Sequence, residues 1–237
     1  RSGVLGRRKS LEIGGRQMVD DLFDLFPEAR EIAANMAAKA SAPKGEARAI
    51  ATRTRHEVRR AKSEAALAEL LPVQLQAGVS YHVISHGDID SRSYLDHVLR
   101  AQPLDRLLVS TWCMAMDDVQ AFGEHLRAGR VGAIDFYVGE IFPSQYPDEF
   151  LALRKLCRER GSTFCVARNH SKVMAGVHAE SGFAVVIESS ANVNTNPRIE
   201  QTCLTVDPDL YDFYRDFFDA LRSIHRDTDL IPLPEAA

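Results

Sequence analysis

The chain lacks any run of about 18 apolar residues, the length a helix needs to cross a bilayer, so a membrane-spanning segment is not expected. The basic stretch Arg1–Ser10 is not followed by the apolar core of a secretory signal, and a cytoplasmic location is the expectation. Cysteine is sparse. The four cysteines, Cys113, Cys157, Cys165 and Cys203, stand in or beside apolar segments rather than at the close spacings of a stapled extracellular domain, which reads as reduced core residues. Cys157, Cys165 and His170 lack the paired ligands of a structural zinc site, and no metal or other cofactor is expected. There is one tryptophan and no internal repeat, so any site that needs two copies of a motif must take the second from another chain.

What is present is a composition of 45% hydrophobic and 26% charged residues over 237 positions, enough for one substantial α/β domain and a smaller appendage. The net charge of −4 argues mildly against polyanionic partners, but its distribution is polarised. Lys39, Lys44, Arg48, Arg53, Arg55, Arg59, Arg60 and Lys62 face only Glu46 and Glu57, whereas Asp207, Asp209, Asp212, Asp216, Asp219, Asp227 and Asp229 face only three arginines. The basic segment reads as a solvated helix face or as a hold on a sugar–phosphate backbone.

Up to about residue 75 the periodicity is helical, with Val19, Leu22, Phe23 and Phe26 on one stripe and Pro72 closing a basic helix. Residues 76–230 form the expected main domain and 231–237 a tail. In that domain short apolar strands alternate with amphipathic helices, the pattern of an α/β layered fold. Strands are expected at Val79–Ser85, Arg106–Trp112, Ala133–Gly139, Ser162–Ala167, Lys172–Val177, Phe183–Glu188 and Ile199–Val206, and helices near 91–101, 117–128 and 147–160. Asp90 or Ser91 is placed to cap the first of these helices. A last helix presents Leu210, Phe213, Tyr214, Phe217, Leu221 and Ile224 as a core-facing stripe, and Trp112 ends a strand as a buried residue. His86-Gly87-Asp88-Ile89-Asp90 reads as a strand-to-helix turn, with His86 and Asp88 near any site at the strand ends.

The stretch Arg168–Glu200 carries the chemistry. His170 and Lys172 stand two apart at the head of a strand, where i and i+2 side chains share a face. The following strand ends in Ser189-Ser190-Ala191-Asn192, where Ser190 and Asn192 repeat that relation, and Glu200 begins the strand after. Lys172, Ser190 and Asn192 suit the non-bridging oxygens of a phosphodiester, while an imidazole oriented by the Glu200 carboxylate suits attack on phosphorus. A second imidazole is then needed for the leaving oxygen, which a two-fold dimer supplies.

His170-Ser171-Lys172, Ser189-Ser190-Ala191-Asn192 and Glu200 resemble the phospholipase D superfamily, which pairs H-x-K with a downstream G/S-S-x-N and a glutamate. The resemblance implies a mixed sheet flanked by helices, preceded here by a small helical N-terminal region. It further implies a metal-independent, homodimeric nuclease with His170 as nucleophile, Lys172 and Asn192 as phosphate ligands, Ser190 in support and Glu200 orienting the ring. The partner is nucleic acid, DNA before RNA, held by Arg48, Arg53, Arg55, Arg59, Arg60 and Lys62. The acid that the family often carries five positions after the lysine is here Val177. Two alternatives stand beside this: an inactive nucleic-acid-binding protein with the same fold, and a phospholipase or phosphatidyl transferase.

Overall fold

A computed structural model of the chain describes residues 55–194 and 197–224, with side chains from Val58 onward. The stretch expected to be helical before residue 54, with Lys39, Lys44, Arg48 and Arg53, lies outside the described residues, as does the C-terminal tail.

The described elements are α1 (Arg55–Leu70), β1 (Ser80–Ser85), α2 (Ser91–Ala101), β2 (Leu104–Thr111), α3 (Met116–Arg127), β3 (Val131–Gly139), α4 (Phe142–Gln145), α5 (Pro147–Arg160), β4 (Thr163–Ala167), β5 (Val173–His178), β6 (Phe183–Ser189), β7 (Glu200–Val206) and α6 (Pro208–Asp219). All seven expected strands form, and they make one mixed sheet in the order β1-β7-β6-β5-β2-β3-β4, flanked by helices. β2, β3 and β4 are parallel because α3 and then α4–α5 cross between them, and the rest pair antiparallel.

Strand alternation sorts the apolar side chains onto two faces of unequal weight. Leu107, Val109, Phe136, Val138, Phe164, Met174, Val185 and Ile187 join residues of α1 to α5 in the larger core. On the other face Leu108, Tyr137, Cys165, Val173, Ala175 and Val186 meet Tyr211 and Phe218 of α6 in a smaller one.

The centre of the last helix differs from the expected stripe. Tyr211 and Phe218 are buried, whereas Phe213 and Phe217 are 64% and 60% exposed. The helix also stops at Asp219, short of Leu221 and Ile224, because the chain turns onto the edge strand β4. There the Ile224 amide donates to the Val166 carbonyl at 2.8 Å and Ser223 Oγ accepts from the Val166 amide at 3.0 Å. That contact satisfies groups an edge strand would otherwise leave open.

Helix α1 belongs with the sheet. Leu67 and Leu71 enter the larger core, and Ser63 Oγ donates to the Asp88 carbonyl at 2.7 Å. Arg59 Nε donates to Asp90 at 3.1 Å, while Arg60 reaches Asp118 at 3.0 Å beside Arg92, which reaches the same carboxylate at 2.9 Å. These two arginines therefore correct the expected basic binding segment. Their charge is spent on acids of α3 and of the turn before α2, which ties α1 down. Lys62 is exposed, and the Arg55 side chain lies outside the described ones. Asp90 stands at the N-cap of α2 without a side-chain capping bond, since its carboxylate is taken by the arginines.

Among the described residues, no helix is long and apolar enough to cross a membrane.

Candidate active site at one end of the sheet

The register gathers every polar group of interest at one end of the sheet. β5 runs antiparallel to β2, with Val173 opposite Ser110, so the β4–β5 loop returns to where the parallel strands finish. Val173 also faces Glu188, and the Ser189 amide donates to the Lys172 carbonyl at 2.9 Å, which sets the end of β6 beside the start of β5. Glu200 opens β7 opposite Ser85, the last residue of β1, which puts the turn His86–Asp88 at this end too.

His170 and Lys172 lie in the loop just before β5 rather than within the strand. Beneath them is a buried polar lock that the sequence did not single out. Asn169 Nδ2 donates to Ser110 Oγ and to the Tyr137 carbonyl, both at 2.9 Å, and Asn169 Oδ1 accepts from the Ser171 amide at 2.9 Å and from Ser171 Oγ at 2.6 Å. Ser110 is fully buried and Asn169 nearly so, hence these bonds are made in a low-dielectric setting and fix the loop that presents His170.

The His170 ring is exposed and packs against the single tryptophan, Trp112, with ring centroids 5.3 Å apart, so Trp112 is half-buried rather than buried. His170 Nδ1 lies 2.8 Å from Lys172 Nζ, which also donates to the His170 carbonyl. Burial holds the Lys172 ammonium below the usual lysine range, against the opposing pull of Cys113 and Glu200. Across the cleft Ser190 Oγ donates to the Glu200 carboxylate and accepts from the Gln201 amide at 3.0 Å. The group seen on Nδ1 is thus an amine where a carboxylate was expected, and Glu200 is engaged with Ser190.

Asn192 Oδ1 is buried with no hydrogen-bond partner among the described residues. An orphaned buried acceptor costs about 1–3 kcal/mol. The loop that carries it is pinned by the Val193 amide, which donates to Thr111 Oγ1 at 3.1 Å, and by the Ala115 amide, which donates to the Val193 carbonyl at 3.2 Å. Two further residues join the cluster. Cys113, at the end of β2, is buried, which pushes its thiol pKa up. Tyr146, whose hydroxyl bonds to that thiol, and the Lys172 charge both pull the other way. For Cys113 the available signal was its position just past the end of β2; Tyr146 lies between α4 and α5 and had none.

Val177 packs against the smaller core and pairs with Arg106, five residues and about 16 Å of strand away from Lys172. The missing acid therefore leaves no gap in the cluster around His170. Among the described residues, no group of three or more His, Cys, Asp or Glu is arranged to hold a metal ion.

Gly139 supports the site by close approach. A Cβ there would stand 2.4 Å from Trp112 Cδ1 and 3.1 Å from the Asn169 carbonyl. Gly139→Ala is expected to push Trp112 and Asn169 outward, cost about 1–3 kcal/mol and displace His170. The emission maximum of the lone tryptophan, read with the unfolding midpoint, checks this.

No family model and no curated protein matches the chain. Among solved structures it is similar to a polyphosphate kinase from Porphyromonas gingivalis, at 15% identity and a TM-score of 0.45, over 67% of this chain and 27% of that one. It is also similar to a phosphatidylserine synthase from Haemophilus influenzae Rd KW20, at 15% identity and a TM-score of 0.38, over 59% of this chain and 37% of that one. The chain thus spans well under half of either protein.

Proposed function

We propose that the chain is a phospholipase D-like phosphodiesterase that cuts nucleic acid through a phosphohistidine intermediate on His170, in a site completed by a second copy. What supports this is the register that sets the end of β6 beside the start of β5, so that the bonded pair His170–Lys172 and the bonded pair Ser190–Glu200, with Asn192, stand at the same end of the sheet.

A phosphodiester entering the cleft draws the Lys172 ammonium from His170 Nδ1 onto its non-bridging oxygens. While that ammonium donates to Nδ1, the neutral ring carries its proton on Nε2. Release lets the proton move to Nδ1, where the Glu200 carboxylate or a water accepts it, and leaves Nε2 as the nucleophile. Nε2 bonds to phosphorus as the P–O bond to the leaving group breaks, and the leaving oxygen takes a proton from the second copy's imidazole. Water then attacks the phosphohistidine and restores both rings. Lys172 and the Asn192 amide meet the charge that develops on the equatorial oxygens. Lys172 fills the cationic role, so the scheme calls for no metal.

Two supports bear on nucleic acid as the substrate: the exposed Lys62 with Arg55 on α1, and Arg48 and Arg53 before it. Incubating the purified chain with DNA and RNA in excess EDTA, beside phosphatidylcholine vesicles, is expected to give oligonucleotide products and leave the lipid intact. Turnover of the vesicles alone would reassign the substrate to lipid, and no turnover of either would leave a binding protein.

A further inference from the structure

Beside His170 is a groove of about 570 Å³ whose other wall is Phe213, Tyr214 and Phe217 of α6 with Leu221 just after it, opposite Arg168 and His170. Its size falls within the range of small-molecule and nucleotide sites. We propose that this groove is a stacking platform for an unpaired nucleobase next to the scissile phosphate, with Arg168 holding the adjoining phosphate. The inference rests on the phosphodiesterase reading above.

Three observations converge. Phe213 and Phe217 stand one turn apart on α6 and are 64% and 60% exposed, although large aromatics are normally covered. Their rings are nonetheless held edge-on against neighbours, Phe213 against Tyr214 at 5.2 Å and 77° and Phe217 against Phe218 at 5.3 Å and 89°. They therefore offer flat faces that are already oriented. Second, Arg168 is exposed and makes no ion pair or hydrogen bond among the described residues, two positions before His170. Third, Arg215 pairs with Asp212 at 2.6 Å and with Asp216 at 2.8 Å, which offsets part of the negative charge of the helix beside the phenylalanines. Arg168, the aromatic wall and His170 line the groove together, and Lys172 bonds to His170. A cation, a stacking surface and the proposed nucleophile so placed suit a phosphate, a base and the neighbouring scissile phosphate of a single strand.

A phospholipid brings a phosphate for Arg168 and a flexible acyl chain for the apolar wall, but an acyl chain has no flat face to match the two oriented rings. A duplex keeps its bases inside the stack, out of reach of the two rings. An unpaired nucleotide offers both a phosphate and a flat face, and base–aromatic stacking tolerates any sequence because every base has a π-face.

The test compares a single-stranded oligonucleotide, its duplex, and a single strand with an abasic residue beside the cleaved bond, each with wild type and with Phe213→Leu/Phe217→Leu. Both replacements are at exposed positions, which spares the fold. Wild type is expected to cut the single strand about tenfold or more faster than the duplex and to lose about tenfold on the abasic strand. The double variant should lose a similar factor on the normal strand and little more on the abasic one. Arg168→Ala should weaken binding and lower the salt slope by about one.

Binding is read independently of cleavage through quenching of 2-aminopurine placed at the same position, in His170→Ala and in His170→Ala/Phe213→Leu/Phe217→Leu. Quenching that needs the two phenylalanines supports the platform even when no strand is cut, in which case the phosphodiesterase reading fails alone. Equal rates on normal and abasic strands by an active enzyme overturn the platform and leave the site standing. The platform is equally overturned if the Leu variants lose phosphatidylcholine binding instead, or shift a self-association equilibrium in sedimentation while oligonucleotide binding is unchanged.

Discussion

Replacing His170 with alanine is expected to lower phosphodiester turnover by at least about a thousandfold while leaving the fold intact, since a covalent nucleophile has no substitute in the cleft. The two halves of this expectation rest on different observations. The ring is exposed and touches the Trp112 edge and Lys172, so its loss removes little packing and should change stability by about 1 kcal/mol or less. The lock of Asn169, Ser110 and Ser171 involves only those residues and backbone, so the loop keeps its course without the imidazole. Turnover in EDTA and a thermal melt on the same preparation separate catalysis from folding. Activity within about tenfold of wild type would remove His170 from the mechanism.

Asp118→Ala is expected to be strongly destabilising, by about 3–5 kcal/mol, because it removes the shared partner of two largely buried guanidinium groups and leaves Arg92 only Asp96 at 3.5 Å and Arg60 only Asp90 at 4.0 Å. Arg60 and Arg92 both end on this carboxylate, at 3.0 and 2.9 Å, with side chains only 15% and 13% exposed, and Arg60 Nη1 already lacks a partner. Burial pushes the Asp118 pKa up despite both arginines, which says that desolvation outweighs their attraction. A buried ion cluster is in general a poor net source of stability and a severe loss when one partner is removed. For a domain of this size the melting midpoint should fall by roughly 6–20 °C. Asp118→Ala combined with Arg60→Met and Arg92→Met should recover much of that loss, whereas a triple variant that fares worse than Asp118→Ala would contradict the ion-pair account. Because α1 is held through Arg60, the variant should also expose α1 to proteolysis before the sheet.

The α/β class and the seven strands were legible because each strand is a short, strongly apolar run bounded by Gly, Pro, Asp or Ser, and because helices of ten or more residues separate the parallel ones. That the ends of β5 and β6 bearing His170 and Ser190 lie at the same end of the sheet was legible for the same reason: a tight Glu180–Gly182 turn fixes the register of β5 on β6. What escaped was set by tertiary competition. Arg59 and Arg60 read as solvent-facing in a basic run, and only the fold shows buried acids from distant segments waiting for them. On α6 two overlapping stripes were possible, and burial chose Tyr211 and Phe218 over Phe213 and Phe217. Asn169 was passed over because a single buried amide has no periodic signal, although it does more than any other residue to present His170. The amine on Nδ1 could not be foreseen, since i and i+2 side chains of a strand were expected to stand parallel and the loop instead folds one onto the other.

The most direct test is to quench the reaction of the wild-type chain with a short labelled oligonucleotide within a turnover and map any covalent adduct by mass spectrometry at neutral to alkaline pH, where a phosphoramidate survives. A nucleotidyl group on the peptide that holds His170, absent from His170→Ala, is the predicted result. Cleavage by the wild type with no such adduct at any quench time, or an adduct on another residue, would contradict it.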